Sequence, residues 1–119
     1  MNIATGYWLI SQDWGKGQKT NFYTFFKDNG KVQDPNNQMD GFFGTYSQQG
    51  DDSLFAFAVT GNDGTKQTYL VTFLGQIQQD GTILGIMTGT DQNSTPLAGT
   101  WSGQYQAIVT PGFKGQVLP

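Results

Sequence analysis

Polar and apolar residues alternate along most of this 119-residue chain. In residues 68–78, Tyr69, Val71, Phe73 and Ile77 fall on one face and the even-numbered residues fall on the other. The same period of two runs through LFAFAVT (54–60) and GTWSGQY (99–105). Successive side chains of a β-strand point to opposite faces, so this period is typical of strands. The pattern therefore predicts an all-β protein.

Turn signals separate these segments at intervals of about ten residues, the spacing of small β-barrels and sandwiches. They include KDNG (27–30), QMDG (38–41), GNDG (61–64) and QQDG (78–81). Asn-Gly and Asp-Gly favour tight hairpin turns, which need positive φ angles. The segments between the turns predict strands at 5–13, 20–28, 41–48, 53–61, 66–78, 82–90, 97–106 and 107–118. Residues 30–41 are predicted to form the one long loop.

Consecutive hairpins predict a single domain, residues 1–119, folded as an antiparallel eight-stranded up-and-down β-barrel. Closure of the meander removes its two open edges. Glycines within the strands, among them Gly75, Gly85 and Gly103, suit the bends of a small barrel. The alternative is a Greek-key sandwich, whose long crossover only residues 30–41 could provide.

The charges and the apolar runs of the chain argue against two classes of partner, nucleic acids and membranes. All nine acidic residues are Asp, all six basic residues are Lys, and the net charge is −3. No basic patch is present, so nucleic-acid binding is not expected. The apolar runs are too short for a membrane-spanning helix, and MNIATGYW lacks the pattern of a signal peptide. Low charge with many Thr, Gln and Asn favours an extracellular protein.

The residues of common catalytic and metal sites are largely missing. The chain has no His, Cys or Glu, which removes the usual acid–base and nucleophile sets and the preferred ligands of zinc. Most Asp residues lie in turns, where Asp bonds to its own backbone. We therefore expect no catalytic residue, no metal site and no cofactor. A cofactor-free cyclase that acts through the shape of its cavity is an open alternative.

Aromatic residues are the candidate binding residues. Glycines flank Trp101 and precede Tyr105, so these rings either fill the barrel or line a space within it. With Trp8 and Tyr46, they are predicted to line a site for a small organic ligand in the lumen or mouth, bound without catalysis. Trp14 lies in the glycine-rich QDWGKG, where it either stacks on a sugar or caps one barrel end. A carbohydrate-binding lectin is the alternative function.

Several strands carry large apolar residues on both faces, as Tyr23 and Phe25 do opposite Phe22 and Phe26. The outer face of a monomeric barrel is normally polar. Apolar side chains on it indicate that something covers the outside. This pattern predicts a homo-oligomer.

Three short motifs resemble the avidin and streptavidin family. They are Gly-x-Trp ending at Trp8, Gly-Thr-Tyr ending at Tyr46, and GTWSGQY at 99–105. In the family these motifs lie on the first, third and sixth strands of an eight-stranded calycin-type barrel. The resemblance implies a tetramer that holds biotin in the barrel mouth, with Tyr46 near the ureido oxygen and Trp101 lining the pocket.

The polar contacts of that family are not retained. Ile10 and Trp14 stand where the family has Asn and Ser on the first strand, and Gln48 stands where it has another Ser. Each hydrogen bond left unmade by a buried ligand costs about 1–3 kcal/mol. We therefore expect a barrel like that of the family, but not biotin as its ligand.

Overall fold

A computed structural model describes residues 3, 6–35, 42–49, 53–62 and 67–119. The strands are β1 (Tyr7–Asp13), β2 (Lys19–Phe26), β3 (Lys31–Gln33), β4 (Phe43–Gln49), β5 (Leu54–Asn62), β6 (Gln67–Ile77), β7 (Ile83–Asp91) and β8 (Pro96–Gln106). The described part of the chain contains no helix with the length and hydropathy of a membrane span.

The eight strands close into an antiparallel barrel in meander order, which confirms the predicted fold class. Each strand pairs with the next in sequence, and β8 returns to pair with β1. At this closing seam Trp8 lies opposite Tyr105, Ile10 opposite Gly103, and Gln12 opposite Trp101. The closure excludes the sandwich alternative, because a sandwich would leave β1 and β8 in an open arrangement.

The period of two places a mainly aromatic core inside the barrel. The buried inward apolar residues of the strands are Trp8, Ile10, Phe22, Phe26, Val32, Phe55, Phe57, Val59, Val71, Phe73, Ile83, Met87 and Trp101. Phe57 and Phe73, opposite each other on β5 and β6, stack with ring centroids 4.2 Å apart. Aromatic rings bury a large area each, which is how a chain with few aliphatic residues fills this interior.

Two segments differ from the sequence prediction. Lys31–Gln33 forms the short strand β3, inside the region predicted to be a long loop. Among the described residues it pairs with β2 only at Phe25–Gln33 and Phe26–Val32. The predicted strand at 107–118 is wrong, since residues 107–119 are irregular. The predicted turns at 38–41 and 61–64 include residues that lie outside the described ranges.

Residues 107–119, here called the strap, pack against the outside of β2. Phe113 meets the ring of Tyr23 edge-on at 4.8 Å, and the backbone N–H of Gln116 donates to Asn21 O at 2.9 Å. Val117 is buried. The strap therefore covers the part of β2 that has no described β3 partner. Proline and glycine at 111–112, with Gly112 in the positive-φ region, explain why this segment does not continue as a strand.

The barrel has two ends. At the upper end β1 turns into β2 through residues 14–18, where Gly15, Lys16 and Gly17 have positive φ angles. At the lower end, Trp8 closes the barrel, and its indole N–H donates to Ile3 O at 3.0 Å. The turns at Gly30 and Gly81, both with positive φ, also lie at the lower end.

Candidate functional site

A cleft of about 480 Å³ opens on the outer wall where β1, β8 and β7 lie side by side. We call it the wall cleft. Its lining residues are Ser11, Gln12, Asp13, Lys19, Leu84, Gly85, Thr100, Trp101 and Ser102. Ser11 lies directly opposite Ser102 across the closing seam, and Ser102 lies opposite Leu84. Ser11, Ser102 and Leu84 therefore form one row across β1, β8 and β7, with two small hydroxyl side chains followed by one apolar side chain.

A second row gives the cleft its charged rim. Thr100 lies opposite Asp13 on one side, and Asp13 lies opposite Lys19 on the other. The Asp13 carboxylate also accepts the backbone N–H of Gly15 at 2.9 Å, which holds it at the base of the β1–β2 turn. The cleft thus offers three hydroxyls, one carboxylate and one ammonium group beside the apolar surface of Leu84.

Glycine and tryptophan together form the floor of the wall cleft. A Cβ atom on Gly85 would lie 1.8 Å from Leu74 O, so only glycine fits there. Gly85 lies opposite both Gly75 and Trp101 in the sheet. The indole N–H of Trp101 donates to Leu74 O and to Ile86 O, each at 3.1 Å. The indole therefore lies against Gly75 on the inner side of the sheet.

The interior side of Trp101 belongs to the core. Its ring meets Phe57 at 5.4 Å and Phe73 at 5.6 Å, both edge-on, and only 3% of the residue is exposed. A Cβ atom on Gly75 would lie 2.7 Å from Trp101 Cζ2. The room that the sequence shows beside Trp101 is thus occupied by the indole itself.

Trp8, Tyr105 and Tyr46 lie towards the lower end of the barrel. Trp8 is buried and meets the ring of Tyr105 edge-on at 6.1 Å, while half of Tyr105 is exposed. The Tyr46 hydroxyl donates to Lys27 O at 2.6 Å. Burial, and secondarily the charge of Asp28, raise the pKa of Tyr46, so this phenol stays neutral in the physiological range.

Trp14 lies at the opposite, upper end. Its indole N–H donates to Thr20 Oγ1 at 3.0 Å and to Val117 O at 3.2 Å. Thr20 Oγ1 in turn donates to Gln12 Oε1 at 3.0 Å, and Gln12 Nε2 contacts Met87 Sδ at 3.5 Å. Trp14 thus ties the strap to a hydrogen-bonded chain that reaches into the core.

The five aromatic residues singled out from the sequence therefore do not converge on one site. Trp8, Tyr46 and Tyr105 lie towards one end and Trp14 lies at the other, while Trp101 stands behind the wall cleft. Sequence reasoning missed Ser11, Leu84, Thr100 and Ser102. Their side chains follow the ordinary alternation, and only the register of the β1–β8 and β7–β8 pairs brings them together.

The wall cleft has the groups for binding but not those of a common catalytic site. Its serine and threonine hydroxyls have no histidine nearby, because the chain contains none. Across the part of the chain that the structure describes, no three His, Cys, Asp or Glu side chains come together to hold a metal ion. The arrangement can donate and accept hydrogen bonds, and it can bury an apolar surface against Leu84.

Comparison with known proteins adds no relative. No protein-family model, curated protein or solved structure matches this chain. The closed barrel is compatible with a calycin-like fold. The function is therefore argued from the geometry of the site alone.

Proposed function

We propose that this protein binds a small amphipathic organic molecule in the wall cleft without transforming it. The observation that supports the proposal is the cleft itself. Its volume of about 480 Å³ is that of a small-ligand pocket, and polar groups converge on one side of it while Leu84 provides the other. A fitting ligand has an apolar face for Leu84 and a polar edge for Ser11, Thr100 and Ser102.

The packing of the interior favours this site over the lumen. Inward-facing Phe57, Phe73 and Trp101 are each at most 3% exposed, and their rings are in direct contact. A ligand in the lumen would have to displace part of this cluster. A ligand in the wall cleft would replace only solvent, and the strands that carry the cleft would hold its polar groups in place.

A carbohydrate is the alternative ligand class. The three hydroxyls and the Asp13 carboxylate of the cleft match the hydroxyls of a sugar. Sugar binding usually adds an aromatic ring that stacks on the apolar face of the ligand. The cleft's aromatic residue, Trp101, is almost fully buried, so Leu84 would have to take that role.

An evolutionary relationship to the avidin family is also a proposal. Eight antiparallel strands in meander order and Trp8 at the closed end support it. The two other motifs, however, lie on β4 and β8, whereas the resemblance assigns them to the third and sixth strands. Residue roles in biotin binding therefore do not transfer to Tyr46 and Trp101 by position.

Native mass spectrometry of the protein purified from its own source tests the proposed function. A retained mass of a few hundred daltons, the size that the cleft accepts, identifies the ligand. If none is retained, a thermal-shift screen of small amphipathic molecules and a glycan array supply candidates.

Two variants then locate the site. Ser102→Tyr fills the cleft and should weaken binding by roughly tenfold or more. Gln104→Tyr is the matched control, since Gln104 is the next outward residue on the same strand and does not line the cleft. Equal binding by both variants would place the ligand elsewhere and refute the proposed site. Selective binding on the glycan array that Ser102→Tyr abolishes would establish the carbohydrate alternative.

A further inference from the structure

Large apolar side chains cluster on the outside of β5, β6 and β7. Leu54, Leu70, Leu74, Leu84 and Ile86 are each between 42% and 56% exposed. Leu74 lies directly opposite Ile86 in the β6–β7 pair, and Leu84 is the next outward residue from Ile86 on β7. We call these five side chains, with the alanine and threonine residues between them, the leucine face.

The described residues on this side of the barrel differ in charge from those on the other side. The described outward positions of β5–β8 carry only Leu, Ile, Ala, Pro, Thr, Ser and Gln. The outward positions of β1, β2 and β3, in contrast, include Asp13, Lys19 and Lys31. A surface held in water gains solubility from charge, whereas the centre of a protein–protein contact is depleted of it.

The strap does not cover the leucine face. Its described contacts are with β2 and the upper turn, through Tyr23, Asn21, Thr20 and Trp14. The strap therefore explains why Tyr23 is buried although it faces outward, but it leaves the outer surface of β5–β7 exposed. The apolar outer surface predicted from the sequence thus has two parts. The strap covers the part on β2, and the leucine face on β5–β7 is the other part.

The exposed side chains and the surface shape of the leucine face suit a contact between two copies of the chain. Its five large side chains are each about half exposed, and a contiguous apolar surface of this kind marks a site of protein–protein contact. A stable complex buries roughly 800 Å² per partner, so the contact would also include the small residues between these side chains. A groove of about 250 Å³ lies between Leu54 and Leu74, with Ala56 in its lining. The Leu74–Ile86 ridge stands beside this groove.

We propose that the leucine face is the contact surface of a homodimer. A ridge beside a groove on one surface is what an isologous contact requires, because each copy presents both to its partner. An uncharged face pairs at least cost with another uncharged face, and a second copy supplies one of identical shape. The dimer and the ligand site share Leu84, which belongs to the leucine face and also lines the wall cleft.

Analytical ultracentrifugation over a range of protein concentrations tests the dimer. The wild type should sediment as a dimer that dissociates on dilution. Ile86→Lys should weaken the dimer by about thirtyfold or more, since it buries an unpaired charge in each copy. Ile108→Lys is the matched control, because Ile108 is 73% exposed on the strap and lies outside the leucine face. It should leave association unchanged.

Three results would overturn the proposal: a wild type that stays monomeric at every concentration, a dimer that Ile86→Lys leaves intact, or a dimer that both variants weaken equally. Circular dichroism checks that the variants keep the barrel. If Ile86→Lys does not fold, single-cysteine variants replace it, since the chain has no cysteine of its own. Ile86→Cys should then crosslink between copies through a short bismaleimide and Ile108→Cys should not. Failure of Ile86→Cys to crosslink, or equal crosslinking by both, would likewise overturn the proposal.

Discussion

Replacement of Trp101 by alanine should destabilise the barrel by about 3–5 kcal/mol, the usual cost of removing a buried tryptophan or phenylalanine ring. The structure places this change at the centre of the core. The indole is in edge-on contact with Phe57 and Phe73, and its N–H bonds to two backbone carbonyl oxygens of neighbouring strands. The tight backbone at Gly75 and Gly85 limits how far the walls can collapse into the space.

A second substitution separates the ring from its hydrogen bonds. Trp101→Phe keeps most of the apolar contact but leaves Leu74 O and Ile86 O without the indole donor. We expect it to cost about 1–3 kcal/mol, since a net hydrogen bond is worth about 1 kcal/mol and a smaller ring leaves a void. Trp101→Ala should therefore be clearly the more damaging of the two.

Urea denaturation followed by far-ultraviolet circular dichroism measures both changes. Tyr105→Ala serves as the control, because half of Tyr105 is exposed and it should cost much less. A loss below about 1 kcal/mol for Trp101→Ala would refute the interpretation of this residue as core, since that is the cost of a surface-like substitution. Such a result would return Trp101 to the role of a ligand-lining residue.

Three further predictions concern the strap, the β6–β7 glycine and a tyrosine of the barrel. Val117→Ala should cost about 1–2 kcal/mol in urea denaturation, because Val117 is a buried residue of the strap; no loss would mean that the strap is detached in solution. Gly75→Ala should destabilise by about 1–3 kcal/mol, and a double-mutant cycle with Trp101→Phe should show coupling between the two, which purely additive effects would contradict. Burial, and secondarily Asp34, raise the pKa of Tyr69 from 10.0 to about 12, so its stabilising effect is present below pH 10 and is lost as the pH rises towards 12. Tyr69→Phe should therefore lose less stability than the wild type over that alkaline range, and its absorbance titration should lack the most alkaline step; equal alkaline losses would refute the assignment.

The sequence predicts the barrel because local patterns determine it. In β6, Tyr69, Val71 and Phe73 alternate with outward residues over eleven positions, and a turn with Gly81 follows. Hairpins of this kind fix their own neighbours and faces. The closing β1–β8 pair is not local, but an up-and-down meander with apolar inner faces leaves few other ways to protect its edges.

The structures of the strap and of β3 were not predicted correctly, for opposite reasons. Residues 107–118 carry the alternation of a strand, yet their apolar side chains pack across β2 instead of pairing with it. Lys31–Gln33 is a strand too short to show any period, and its pairing to β2 and β4 is what defines it. In both cases contacts distant in sequence decide the local structure.

The candidate site was less predictable than the fold. A tryptophan beside glycines looks the same in the sequence whether the space holds a ligand or, as at Trp101, the indole itself. Ser11, Thr100 and Ser102 are ordinary outward residues of two strands almost ninety positions apart, and only the register of the barrel joins them. The three hydroxyl groups are recognised as one side of a cleft only when that register is known.

Nuclear magnetic resonance of the ¹⁵N-labelled protein, titrated with the ligand found by mass spectrometry or screening, tests the central claim most directly. The chain has three tryptophans, and the structure gives each indole N–H its own acceptor, so the indole signals report separately on the two ends and the interior. A solid interior with a binding site on the wall predicts large shifts for the amides of Ser11, Thr100 and Ser102, while the Trp8 indole signal stays in place. Large shifts of the Trp8 indole and of the interior phenylalanine signals, with those three amides unchanged, would put the ligand in the lumen and contradict the account.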